Sequence, residues 1–216
     1  ILQSKSASYA HFAKKGFPVP AYHVVRTAAE LNQALDALGY PSVPVFMKPD
    51  ASRGGRGIGV IAKTPAACSE PIPVYSPEFA AKLLDGNTPY ICMHYKKGVI
   101  YDIDVLTYAN GEAFFGARGR FINVTKLFSG NFFSQDPDLL AFAKRVYEAL
   151  PTKYLIDYDI MVTEEGEHIL LEVNPRPSGS TVSYIPFGTN LFYVLAKSYL
   201  DGTHLPVTHP SHGAAA

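Results

Sequence analysis

Ile169-Leu170-Leu171-Glu172-Val173-Asn174-Pro175-Arg176-Pro177-Ser178-Gly179-Ser180 is the stretch that decides the fold. Its apolar start reads as a buried strand. Its end carries a carboxylate, an amide and a guanidinium at positions 172, 174 and 176. Alternate side chains of a strand share one face, so Glu172, Asn174 and Arg176 point together if the strand runs that far. Pro175 and Pro177 cannot donate to a sheet ladder and should end it. Glutamate and asparagine oxygens suit a hard cation such as Mg²⁺, and arginine suits phosphate or carboxylate oxygens. A strand with a solvated polar face is the competing reading.

The segment upstream completes a hairpin. Tyr154 to Val162 is an apolar strand carrying Asp157 and Asp159 on one face, and Glu164-Glu165-Gly166-Glu167 is the turn. The return strand, His168 to Val173, brings Glu172 near Asp159. Like charges on facing strands destabilise a sheet unless something compensates them. That cost favours a bound cation over a plain acidic surface.

Further out, Val45-Phe46-Met47-Lys48 is a strand, followed by Pro49-Asp50-Ala51-Ser52-Arg53-Gly54-Gly55-Arg56-Gly57-Ile58-Gly59. Four glycines in six residues, with a strand on either side, make a flexible hairpin tip. Glycines let main-chain N–H groups converge on an anion. No helix opens here, which excludes the Walker A loop and the dinucleotide-binding fingerprint. Lys48, at the end of an apolar strand, is placed to meet a nucleotide phosphate. An ordinary glycine-rich hairpin is the alternative.

The remaining elements read as follows. A helix opens at Lys5 and ends at Gly16, and Phe17 to Pro20 is an extended linker. Ala21 to Val25 is a strand. Thr27 and Glu30 form a capping box for a helix whose apolar face is Leu31, Leu35 and Leu38. Thr64 to Tyr75 is a surface loop, and Pro77 opens a short helix. Strands follow at Pro89–Tyr95, Tyr101–Tyr108 and Glu112–Arg120, the last two joined by the Asn110-Gly111 turn. Arg118 and Arg120 share a face of that return strand and, with Lys126, are candidates for substrate anions. Asp136 caps an amphipathic helix, and Asn190 to Leu200 is the last one.

The chain has 216 residues, 47% of them hydrophobic and 18% charged, with acids and bases in balance. That composition is globular and gives no support for a nucleic-acid or anionic-membrane partner. No apolar run is long enough to span a bilayer. Cys68 and Cys92 lie in no metal or redox spacing, as expected for free thiols in a cytoplasmic protein. The start, Ile1-Leu2-Gln3, has neither Met nor the features of a signal peptide, as an excised piece would.

Lys48, the glycine-rich hairpin, and Asp159 ahead of Glu172-Val173-Asn174-Pro175-Arg176 occur in this order in one family. From about Lys5 to Leu205 the chain resembles the ATP-grasp superfamily, in particular its carboxylate–amine ligases and carbamoyl-phosphate-synthetase-like members. The resemblance implies an α+β fold of two subdomains, each an antiparallel sheet with helices, and a nucleotide cleft between them. On that scheme residues 1–20 lead into the fold and 21–92 form the smaller, flap-bearing subdomain. Residues 93–205 form the larger one with the Mg²⁺ site, and 206–216 are a tail.

The resemblance also implies an ATP-dependent ligase that makes an acyl phosphate and passes it to an amine. Its cofactors would be ATP and Mg²⁺, or Mn²⁺ in its place. Lys5 and Lys48 would touch nucleotide phosphates, and Ser52, Gly54, Gly55 and Gly57 would form the closing flap. Met93, His94 and Tyr95 match the segment facing adenine. Asp159, Glu172 and Asn174 match the metal ligands, and Arg176 and Lys48 the catalytic cations. The partners would be small-molecule carboxylate and amine substrates. The resemblance also implies an N-terminal substrate-binding domain ahead of Lys5, which this sequence lacks, as an excised piece would; a homodimer is left open.

There are departures. His94 and Ile100 stand where the family usually has glutamates, and Asp157 stands where some ligases have an arginine. A non-catalytic nucleotide-binding module is therefore the alternative reading.

Overall fold

The structure is a computed structural model, and it describes residues 2, 4–51, 57–64, 72–123, 126–210 and 214–215. Side chains are described for these except in 121–129 and 214–215. The chain divides into two compact units, Ile1–Ala13 with Val19–Lys97, and Lys14–Pro18 with Gly98–Ala216.

The first unit has a five-stranded sheet in the order β1-β5-β2-β3-β4. Its strands are β1 (Tyr22–Val25), β2 (Val45–Pro49), β3 (Gly59–Ile61), β4 (Val74–Tyr75) and β5 (Tyr90–His94). All pairs are antiparallel except β3 with β4, which run parallel. The sequence reads 64–75 as loop throughout. β4 is only two residues long, too short to show a period, and residues 65–71 lie outside the described ones.

Strand alternation assigns the two faces of this sheet. Val45, Met47 and Cys92 turn to α2 (Ala28–Ala37), whose Leu31, Ala34 and Leu35 complete that core. Thr27 and Glu30 make the expected capping box at its start. Ile91, Met93 and Phe46 face the other way and pack with Tyr9 of α1 (Lys5–Lys14). Lys48 shares their parity, so it lies on the α1 side. The short α3 (Pro77–Lys82) buries Ala80 beneath α2.

The second unit has a six-stranded antiparallel sheet in the order β10-β9-β6-β7-β8-β11. These strands are β6 (Gly98–Thr107), β7 (Ala113–Asn123), β8 (Lys126–Ser134), β9 (Tyr154–Thr163), β10 (His168–Asn174) and β11 (Ala214–Ala215). β8 is absent from the sequence reading, because glycine and polar residues interrupt its apolar positions. On one face lies α4 (Pro137–Ala149), capped by Asp136 as expected, with Tyr147 against Phe115 and Thr107. On the other lie α5 (Leu191–Asp201) and a 3₁₀ segment, Thr181–Phe187. Leu106, Phe133, Leu155, Tyr184, Leu191 and Val194 form the core there.

Asp102 and Asp104 share the parity of Leu106 on β6, so they stand on the face covered by the 3₁₀ segment. Gly116 leaves room for that cover. A Cβ there would lie 1.9 Å from the Tyr184 hydroxyl.

Candidate functional site

The polar face of the second sheet is built by register. Reading across β7, β6, β9 and β10, one row runs Arg118, Asp102, Asp159, Glu172. The next runs Gly116, Asp104, Asp157, Asn174. A β-bulge between Leu170 and Glu172 sets the β10 register that puts Glu172 opposite Asp159 and Asn174 opposite Asp157. The strand stops at Asn174, ahead of Pro175 as expected. Arg176 therefore lies beyond the sheet, exposed, donating from Nη1 to the Pro177 carbonyl at 3.0 Å. The shared strand face foreseen for positions 172, 174 and 176 holds for the first two alone.

The arginines of β7 are turned inward. Arg118 is fully buried, and its Nε donates to Asp104 Oδ2 at 2.7 Å. Asp104, also fully buried, accepts from Thr181 Oγ1 at 2.6 Å. Nη1 of Arg118 donates to Ser180 Oγ, and the guanidinium lies over the Tyr184 ring. Arg120 bridges two acids, reaching both oxygens of Asp102 and, from Nη2, Asp159 Oδ1 at 2.7 Å. Both arginines thus serve carboxylates of their own sheet, where the sequence suggests substrate anions. The Asn110-Gly111 turn announces the β6–β7 hairpin, and its register, with Asp102 opposite Arg118 and Asp104 opposite Gly116, is what aligns those acids with the two arginines.

Asp157 is buried as well. Its Oδ2 accepts from Asn174 Nδ2 at 3.1 Å, while its Oδ1 has no hydrogen-bond partner. Oxygens of Asp102, Asp157 and Asp159 lie within 4.8 Å of one another.

Protonation follows from this crowding. Burial raises Asp159, Arg120 opposes it, and the charges of Asp102 and Glu172 raise it again, leaving it pushed up to about 7. Burial and the charges of Asp159, Asp102 and Asp104 push Asp157 well above the usual carboxylate range. Burial also acts to raise Asp102, but the Arg120 hydrogen bond and charge, with Arg118, hold it below its ordinary value. For Asp104 burial outweighs Arg118 and the carboxyl is raised.

The first unit holds the other candidate residues. Lys48 is nearly buried and donates from Nζ to the Tyr9 hydroxyl at 3.1 Å. Lys5, also nearly buried, starts α1, and its N–H donates to the Asp50 carbonyl at 3.1 Å. The Asp50 carboxylate clamps this helix start. It accepts from Ser4 Oγ at 2.7 Å, Ser6 N–H at 2.7 Å and Ser6 Oγ at 2.9 Å. Asp50→Ala would strip those partners from a nearly buried helix N-terminus, and chemical denaturation should show a loss of about 1–3 kcal/mol.

Gly57 has φ +72°, and an added Cβ would sit 3.1 Å from Pro49 Cγ, so glycine is required there. Ser52, Gly54 and Gly55 lie outside the described residues. Met93 is buried beside Tyr9, His94 is exposed, and the Tyr95 N–H donates to the Pro44 carbonyl at 3.0 Å. Cys92 is buried, which pushes its thiol up to about 12, and Cys68 lies outside the described residues. No helix among the described residues is long and apolar enough to cross a membrane.

Comparison with known proteins adds the following. A family model described as "ATP-grasp in the biosynthetic pathway with Ter operon" matches residues 87–215. No curated protein sequence matches the chain. Among solved structures, an ADP complex of purK, an N5-carboxyaminoimidazole ribonucleotide synthetase, superposes with TM-score 0.76 at 19% identity. The match covers 98% of this chain and 54% of that one. The Aspergillus clavatus N5-carboxyaminoimidazole synthase, bound to ADP and 5-aminoimidazole ribonucleotide, gives 0.71 at 17% identity over 97% and 53% of the two chains. The Staphylococcus aureus enzyme with ADP gives 0.71 at 14% identity over 95% and 52%. The chain thus spans about half the length of these structures, which share its fold. With the family model matched over more than half of its residues, the chain belongs to the ATP-grasp family.

Proposed function

We propose that the chain is the nucleotide-binding part of an ATP-dependent ligase that activates a carboxylate as an acyl phosphate and joins it to an amine. The observation that carries this reading is the pairing of Asp159 with Glu172, with Asn174 next on the same strand, inside the segment matched by the family model. Family membership and the α+β fold support it further.

The residues fit a magnesium ion. Asp159 and Glu172 offer hard carboxylate oxygens. Asn174 gives its amide N–H to Asp157, which leaves its carbonyl oxygen for a cation. Bound Mg²⁺ with ATP would supply the γ-phosphoryl group and neutralise charge on it. Lys5 and Lys48 would hold phosphate oxygens, and the flap with Ser52, Gly54, Gly55 and Gly57 would exclude water. Met93, His94 and Tyr95 would face the adenine, with the main chain reading it in place of a glutamate at 94. Arg176, exposed and outside the sheet, is free to reach the transferring phosphoryl group. These groups position charge and need no nucleophile of their own.

The flap-bearing lobe is proposed to be 21–92 and the metal-bearing lobe 93–205, in a cytoplasmic enzyme. The substrates are small carboxylates and amines, with no part for nucleic acid or membrane.

Thermal unfolding with Mg-ATP tests the reading. Nucleotide at a hundredfold excess over its Kd contributes about 2.7 kcal/mol, a rise of several degrees in Tm. Glu172→Ala should abolish most of that rise, and ADP should appear when the matching acid and amine are supplied. Mg-dependent stabilisation without ADP release over a broad acid and amine panel would leave a binding module instead.

A further inference from the structure

We infer that a groove at the turn end of β6 and β7 is a binding site for a small organic ammonium ion with an apolar body, held between aromatic rings and the carboxylates of Glu112 and Glu148. The groove shares no residue with the polar face that carries Asp159 and Glu172. Tyr108, at its base, follows the end of β6 and lies about 20 Å from Asp102 at the rise of a strand. It is therefore a second site, and it stands independently of the ligase reading.

Unequal strand lengths open the floor. β8 pairs with β7 from Ala117 onward, so 113–116 have no strand on that side among the described residues. One wall is α4, with Lys144, Tyr147 and Glu148, and the other is the chain after α5, with His204 and Val207. The Tyr108 hydroxyl donates to the Leu205 carbonyl at 3.0 Å, and the Ala109 N–H donates to Ser198 Oγ at 2.8 Å. Those bonds pin the second wall to the hairpin. The cavity between the walls has a volume of about 500 Å³, inside the about 300–1,000 Å³ usual for small-molecule sites.

Rings and charge together select the ligand. Phe115 and Tyr147 meet at 82° with centroids 5.7 Å apart, and Tyr108 meets the His204 ring at 66° and 4.1 Å. Rings set steeply to one another bound a space on several sides, and aromatic faces attract alkylammonium ions through their quadrupoles. Phe114 and Val207 add only carbon, which suits an apolar body. The carboxylates supply the counter-charge. Glu112 Oε2 accepts from Asn110 Nδ2 at 3.1 Å and lies 3.4 Å from His204 Nδ1, while Oε1 takes part in neither contact. Glu148 is exposed on α4, one turn beyond Lys144. Two carboxylates against one lysine, with histidine neutral at pH 7, leave the groove one negative charge in excess. That balance favours a monocation over an anion or an uncharged ring.

The test is calorimetric titration of the 216-residue chain with phenethylammonium, 2-phenylethanol and phenylacetate, which share one body and differ in charge. Phenethylammonium should bind once per chain, about tenfold tighter than the alcohol, and phenylacetate should bind more weakly than either. Lys144 and Glu148 are exposed, so variants there keep the fold. Glu148→Gln should weaken phenethylammonium about fivefold, and Lys144→Met should tighten it about threefold. Phe115→Leu should weaken the ammonium ion and the alcohol alike, and Glu172→Gln should change neither. Equal affinity for ammonium ion and alcohol overturns the inference, as does weakening by Lys144→Met or the absence of saturation at millimolar ligand. So does a loss in Glu172→Gln equal to that in Glu148→Gln. If Phe115→Leu fails to fold, amide NMR of the wild type decides: shifts centred on 108–115 and 144–148 support the site, and shifts centred elsewhere refute it. Failure of Mg-ATP to bind would sink the ligase reading and leave this result standing.

Discussion

Arg118→Met should destabilise the chain by about 3–5 kcal/mol, measured as the urea midpoint at neutral pH. The arginine and Asp104 are both fully buried and bonded to one another. Methionine fills much of the same volume but leaves Asp104 in a low-dielectric interior with only Thr181 as partner. That uncompensated charge is the main cost, and protonation of Asp104, already raised by burial, limits it. A second cost is loss of the hold on Ser180, which ties the start of the 3₁₀ segment to the sheet. Replacing both partners, Arg118→Met with Asp104→Leu, should restore more than half of the loss, because an apolar pair needs no counter-charge. A single substitution costing under about 1 kcal/mol would mean that water reaches Asp104 and that this face is less closed than its burial indicates.

That pair also marks the border of what the amino-acid sequence discloses. Glu172 and Asn174 are legible as a pair because strand parity is local, and the hairpin strands run as expected; that they face Asp159 and Asp157 depends on a bulge. Thr27 with Glu30, Asp136 and Pro175 are legible for the same reason, since caps and ladder breakers act within a few residues. Asp102, Asp104, Arg118 and Ser180 are another matter. The hairpin of β6 with β7 is announced by its turn, but the grouping also depends on the register within it, on pairing β6 with β9, and on a 3₁₀ segment that no period announces. The bulge at Leu171 is equally silent in the sequence, yet it sets the register of Glu172 and Asn174. β4 and β8 go unread because a two-residue strand and a glycine-interrupted strand leave too few alternations to count. What the sequence under-reports, then, is the side of the polar face contributed by strands distant in the chain.

On the proposed ligase function, Lys48→Met should lower ATP-dependent turnover by about 10²–10³-fold while leaving the fold intact, the scale of losing one preorganised group at a developing charge. Lys48 lies next to the last residue of β2, on the α1 side of its sheet, and its ammonium lies near the Phe46 and Tyr9 rings. Methionine keeps an aliphatic stem and removes the ammonium. Taking a nearly buried charge away is not expected to lower Tm, because desolvation already works against it. The Tyr9 hydroxyl accepts from Nζ and so helps to aim it. Tyr9→Phe should therefore cost less, within about tenfold, since the ammonium remains and only its orientation loosens. Steady-state ADP release separates the cases: the Lys48 variant should fall mainly in kcat, where a contact that merely tightens nucleotide binding would raise KM instead. Equal turnover in wild type and Lys48→Met, at saturating Mg-ATP, would remove this lysine from the phosphoryl-transfer step.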